Sequence, residues 1–121
     1  MIRIGFVTGA RSEYGVMKKL IAELVNDSVF SVSIVTTGMH FLVKYGHTID
    51  DIRKDALAPI IAAPCYTEEE RHKEEDFVAL INALSLVFKQ NYFDVVYVVG
   101  DRLEAYAAAL AAHFYKIPVA H

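Results

Sequence analysis

The 121-residue sequence predicts an α/β protein: an open, parallel β-sheet with helices on both faces. The first reason is order. Short runs rich in Val, Ile and Thr alternate with segments whose apolar residues recur at helical spacing, giving β-α-β-α-β-α-β-α-β. The second is that the strand runs are apolar on both faces, which suits strands covered by helices on each side. No repeat, low-complexity tract or linker interrupts this order, so residues 1–121 read as a single domain.

Ile2 to Thr8 is the first strand, apolar apart from Arg3, and Gly9 ends it. Ser12 is placed to N-cap a helix that carries Val16, Leu20, Ile21, Leu24 and Val25. Asn26-Asp27-Ser28 closes that helix, and Phe30 to Thr37 (FSVSIVTT) forms the second strand, broken by Gly38. Met39 to Asp55 is ambiguous, with Thr48 able to cap a short helix through Arg53. Pro59 to Ala63 is a third strand, stopped by Pro64. The charge run Tyr66 to Asp76 (YTEEERHKEED) reads as a solvated loop or exposed helix start, in which Thr67 and Glu70 fit a capping box.

Phe77, Leu80, Ile81, Leu84, Val87 and Phe88 then make a strongly amphipathic helix. Asp94 to Gly100 (DVVYVVG) is the fourth strand. Leu103, Ala107, Leu110 and Phe114 line one face of the last helix, whose alanines allow close packing on a sheet. Ile117 to Ala120 (IPVA) is the fifth strand. The sequence stops at His121, at the strand end from which ligand-binding loops of such sheets depart. The domain is therefore expected to be truncated at its C-terminus.

Composition narrows the function classes. At 55% hydrophobic residues the chain can bury a real core. A net charge of -3 speaks against a nucleic-acid partner, which leaves a basic face, but not against a small anion that needs one or two local cations. Cys65 is the only cysteine, so no intramolecular disulfide forms and a reducing, cytoplasmic location fits. The N-terminus is too short and too quickly broken for a signal peptide. Ala105 to Ala120 is interrupted by His113, Lys116 and Pro118, so a soluble protein without a membrane partner is expected.

In an open α/β sheet the ligand crevice lies outside the carboxyl ends of the strands. The sequence places Gly9, Arg11, Ser12, Glu13, Tyr14 and Gly15 there after the first strand, Gly38, Met39 and His40 after the second, Gly100, Asp101, Arg102 and Glu104 after the fourth, and His121 after the fifth. Arg11 beside a helix N-terminus is either an anion clamp or a solvated loop residue. Asp101 is either a helix N-cap or an acid/base carboxylate with Arg102 alongside, and the two roles are compatible. His40 is either an ordinary loop histidine or a site residue. His47, His72 and His113 fit no metal-ligand spacing, and Cys65 reads as a buried thiol. A dinucleotide site is set aside because G-x-G-x-x-G is absent, and a phosphoacceptor site because the first strand ends in Thr8-Gly9 rather than acidic residues.

Three segments, "TGARSEYG", "TTGMHF…YGHTID" and "VVGDRLEAYAAALAAHFYKIPVAH", occur in this order. Together they resemble the start of the hydrolysing UDP-N-acetylglucosamine 2-epimerases, which begin sialic-acid-type sugar synthesis. The resemblance covers essentially the whole chain, and GDR-x-E-A followed by IP-x-AH is its most specific part. It implies a Rossmann-like first domain, partial here, of a two-domain enzyme of glycosyltransferase-B-like architecture, with a UDP-sugar in the cleft between domains. In that family the C2 proton is removed and UDP is expelled from C1. Water and a proton are then taken up to give N-acetylmannosamine. On the matching positions the resemblance implies Asp101 as an acid/base carboxylate and Arg11 as a phosphate ligand. Arg102 and His40 would line the sugar and diphosphate site, with Gly9, Ser12, Tyr14 and His121 among the substrate-binding residues. No metal or other cofactor is implied. A homo-oligomer is, although the apolar face of the Phe77 to Phe88 helix reads first as packing on the sheet. Gly15 departs from some relatives, which carry a hydroxyl residue there. A chain of this extent alone is expected to lack turnover.

Overall fold

The computed structural model describes every residue from Met1 to His121. Five strands form one parallel sheet, β1 (Ile2–Thr8), β2 (Phe30–Thr37), β3 (Ile60–Ala63), β4 (Val95–Tyr97) and β5 (Val119–Ala120). The order across the sheet is β3-β2-β1-β4-β5. The chain thus starts in the middle, winds outward to β3, crosses back, and winds outward again to β5. That reversal puts a topological switch point between β1 and β4, where such sheets open a crevice. The helices are α1 (Arg11–Val25), α2 (Ile49–Asp55), α3 (Lys73–Gln90) and α4 (Leu103–Phe114). None of them is long and apolar enough to cross a membrane.

The period-two alternation of the strands divides the core into two layers. Ile4, Phe6, Val32 and Ile34 pack against Tyr14, Met17 and Ile21 of α1 and Ile49 and Ile52 of α2. Val7, Val35, Val96 and Val98 pack against Leu80, Leu84, Val87 and Phe88 of α3 and the alanines of α4. The apolar face of α3 is therefore spent inside the fold, as its periodicity suggested. The face of α4 is different from the expected one. Ala105, Ala107, Ala108, Ala111 and Ala112 are buried, whereas Phe114 is 60% exposed. Small side chains bring the α4 backbone close to the sheet, and the larger residues are turned outward. On α1 the same shift leaves Val16 exposed and Met17 buried.

Boundaries move where the hydrogen-bonding partner ends. β4 is shorter than Asp94 to Gly100 because β5 offers it only Val119 and Ala120 as partners. β3 begins after Pro59, which has no N–H to give the ladder but still accepts from the Ile34 amide. The ambiguous stretch resolves into two short 3-10 turns, Gly38–Phe41 and Val43–Tyr45, followed by α2.

Helix starts are where local signals misled. Ser12 is not a cap: α1 begins at Arg11, and Ala10 holds the N-cap position without a side-chain bond. Thr48 does hold the N-cap position of α2, but its hydroxyl bonds elsewhere. The capping box of α3 is His72 with Glu75, not Thr67 with Glu70. Thr67 instead donates to the Glu69 carbonyl at 2.6 Å. Arg102, not Asp101, occupies the N-cap position of α4.

Two glycines on one turn and helix make opposite demands. A Cβ at Gly9 would lie 2.4 Å from Glu104 Cγ, while a Cβ at Gly15 would meet nothing within 4 Å. Gly9→Ala is expected to destabilise the fold by about 1–3 kcal/mol through overpacking. Gly15→Ala, inside α1, is expected to stabilise it by about 0.4–1 kcal/mol. Urea unfolding midpoints of the two variants check both signs.

Candidate functional site

The turns after β1, β2 and β4 meet at the switch point, and they meet on one side chain. Glu104, in the first turn of α4, is 1% exposed. Its stem lies against Gly9 and Gly38 so closely that neither position has room for a Cβ. Gly38 also has φ +60, a conformation that favours glycine, and its extra Cβ would sit 2.8 Å from the Gly9 carbonyl oxygen. That same carbonyl accepts from the Met39 amide at 2.8 Å, which zips the β1 turn to the β2 turn. Arg102 Nη2 donates to Glu104 Oε1 at 3.2 Å and lies against Met39 Sδ. The Arg102 Nε and Nη1 donors have no protein partner, and the side chain is 40% exposed.

The turn of β1 is built differently from a phosphate loop. Glu13 is 5% exposed, and its Oε1 accepts from the Gly9 amide at 2.7 Å. A carboxylate of the protein itself thus occupies the amide that a glycine-rich cradle would offer to a phosphate, and it offsets the N-terminal dipole of α1. Burial, and behind it the Glu104 carboxylate, raises the Glu13 pKa above its ordinary value, although the Gly9 amide and Arg102 pull it down. The Gly9 amide is thereby taken, and the cation side chains remain among the groups that can hold an anion at this edge. Burial and then Glu104 likewise push the Tyr66 phenol up, while burial lifts the half-buried Cys65 thiol.

His40 is fully buried. Its Nε2 lies 2.9 Å from Thr8 Oγ1 and its Nδ1 2.8 Å from Thr48 Oγ1, while the Thr8 hydroxyl donates to the Ala10 carbonyl at 3.2 Å. Burial pushes the imidazole down to about 4, so the ring is neutral near pH 7 (an approximate reference point). A neutral ring satisfies all three bonds only with its proton on Nε2. A relay then runs from the Thr48 hydroxyl through His40 and Thr8 to Ala10, tying α2 to the residue at which α1 starts. Tyr14 works in the same layer, its ring buried and its hydroxyl donating to Asp55 Oδ2 at 2.7 Å.

The residues expected at the site therefore divide. Gly9, Met39, Arg102 and Glu104 are drawn together. Asp101 is exposed and has neither an ion pair nor a side-chain hydrogen bond. Arg11 and Ser12 are exposed in the first turn of α1. His121 donates from Nε2 to the Gly100 carbonyl at 2.7 Å, closing the β5 end onto the β4 turn. His40 and Tyr14 stand behind the turn with their polar atoms engaged. Arg11 opens onto a cavity of about 340 Å³ shared with Lys18, Lys54 and Asp51. Asp101 and Arg102 open onto another, of about 830 Å³, with Met39, Tyr66 and Arg71. Met39 and His40, consecutive in the chain, line one cavity each.

Glu13 and Glu104 were the residues whose roles local reading missed. Their signal is positional: Glu104 shares the i, i+3, i+4, i+7 stripe of Ala107, Ala108 and Ala111, and Glu13 the stripe of Met17 and Ile21. A carboxylate on a buried stripe needs a partner.

An open sheet wound both ways from a switch point, with arginines and tight turns at its carboxyl edge, is a Rossmann-like domain. More narrowly, the chain belongs to the UDP-N-acetylglucosamine 2-epimerase family, whose sequence profile matches residues 22–121. It is 32% identical over 123 residues to the polysialic acid biosynthesis protein P7 of Escherichia coli, covering 100% of this chain and 32% of that protein. It is 35% identical over 124 residues to the UDP-N,N'-diacetylbacillosamine 2-epimerase (hydrolyzing) of Legionella pneumophila, covering 100% of this chain and 33% of that one. The chain thus spans about a third of the length of these curated relatives. The fold is shared with the crystal structure of UDP-GlcNAc 2-epimerase from Neisseria meningitidis bound to UDP-GlcNAc, with a TM-score of 0.80, 24% identity, and coverage of 98% of this chain and 31% of that one.

The His40 relay sets a pH dependence. Its folded pKa lies below the ordinary 6.5, so the stability it contributes is present above that value and lost as pH falls toward about 4. Across that window, melting temperatures followed by circular dichroism are expected to fall more steeply for the wild type than for His40→Gln.

Proposed function

We propose that the protein carrying this chain is a hydrolysing 2-epimerase that converts UDP-N-acetylglucosamine and water to N-acetylmannosamine and UDP. The observation that carries this reading is a partner-free carboxylate, Asp101, next in sequence to a guanidinium with free donors, Arg102, at the carboxyl end of β4 beside the switch point. Elimination needs a base for the C2 proton and cations for the departing diphosphate. Asp101 is assigned to the proton work, as one of the acid/base carboxylates. The electron pair of the C2–H bond forms the C1–C2 double bond as the C1–O bond to UDP breaks. Water then adds its oxygen to C1, and a proton returns to C2 from the other face. Arg102 and Arg11 meet the charge that builds on the diphosphate.

A second reading, a diacetamido nucleotide sugar as substrate, has its own support in the 35% identity to the Legionella protein. Turnover of both sugars by the protein in its full natural length separates the two. In that protein Asp101→Asn is expected to lower kcat by about 100- to 10,000-fold with KM little changed. Activity within a factor of two of wild type would remove Asp101 from the chemistry. The 121-residue chain by itself is expected to release no UDP from either sugar, because it supplies about a third of the length of its relatives.

A further inference from the structure

Glu104 poses a physical problem. A carboxylate that is 1% exposed costs several kcal/mol in desolvation, and an apolar residue of similar volume would fill the same space without that cost. Two backbone turns are nonetheless shaped around it: Glu104 alone leaves Gly9 no room for a side chain, and at Gly38 its Cγ, 3.0 Å from where a Cβ would lie, adds to the closer approach of the Gly9 carbonyl. Its one ion pair is with Arg102, through Nη2 alone. A guanidinium tethered at one nitrogen, here between Glu104 Oε1 and Met39 Sδ, keeps its Nε and Nη1 donors for an external acceptor.

We propose that Glu104 is the positioning residue for Arg102, aiming the guanidinium at the diphosphate of the bound nucleotide sugar and coupling that aim to the β1 and β2 turns. The inference rests on the nucleotide-sugar reading above. Glu104 itself touches no substrate; it acts through Arg102. Charge alone would argue the other way, because removing a carboxylate beside Arg102 leaves the site more positive and should tighten an anion.

The test is UDP titration by calorimetry of the full-length protein as wild type, Glu104→Gln, Arg102→Ala and the double variant. The expected result is a loss of about tenfold in UDP affinity for Glu104→Gln in the wild-type background, and less than about twofold when Arg102 is already alanine. A role confined to packing would lower affinity equally in both backgrounds and overturn the inference. So would affinity in Glu104→Gln equal to or tighter than wild type. A wild type that binds no UDP would remove the nucleotide-sugar reading and this inference with it. If Glu104→Gln does not fold, Arg102→Lys decides, since it keeps the charge and loses the fork. Affinity near that of Arg102→Ala supports positioning, and affinity near wild type overturns it.

Discussion

The burial of one carboxylate, Glu104, between two glycine turns is the constraint on which the edge of this sheet depends. It forces glycine at position 9 and, together with the Gly9 carbonyl and a φ of +60, favours glycine at position 38. It requires a helix lean enough to approach the sheet, which the alanines of α4 supply. It fixes where Arg102 begins its reach into solvent. The same contact brings the Gly9 carbonyl under the Met39 amide, so that turns from neighbouring strands close as a unit. Sequence, packing and site are here one chain of cause.

Charge accounting follows from that contact. Two buried carboxylates, Glu13 and Glu104, face a single paired cation, Arg102. Glu13 already fills the amide of Gly9, so the segment GARSEYG is not a worn phosphate loop. It is a turn whose own side chain satisfies the helix start and whose arginine remains free. On the proposed function, the guanidinium groups meet the diphosphate as it departs. Behind the turn, the Thr48–His40–Thr8–Ala10 relay and the Tyr14–Asp55 bond hold α1 and α2 in place.

The sheet was legible because its strands are continuous β-branched runs and its helices show a 3.6-residue repeat; both signals are local. Val95 to Tyr97 shows the limit, since strand length is set by how far β5 extends beside it. Caps were not legible for a related reason. Ser12 and Thr67 had the right chemistry, but Ala10 and His72 hold the cap positions; Thr48 holds its own, with its hydroxyl turned to His40. The crevice was legible as a list of loops, because strand ends converge by topology. What each member does there was not. Glu13 and Glu104 stood among the strand-end residues with no role assigned, and His40 stood open between a loop histidine and a site residue; burial of all three is what the sequence did not show.

The most direct test of the central claim is a crystal structure of the full-length protein with UDP. The diphosphate oxygens are predicted to lie within hydrogen-bond distance of the free Nε or Nη1 donors of Arg102, with Glu104 still on Nη2 and the Gly9 amide still on Glu13. A diphosphate seated on the Gly9 and Ala10 amides, with Glu13 displaced and Arg102 turned away, would contradict it.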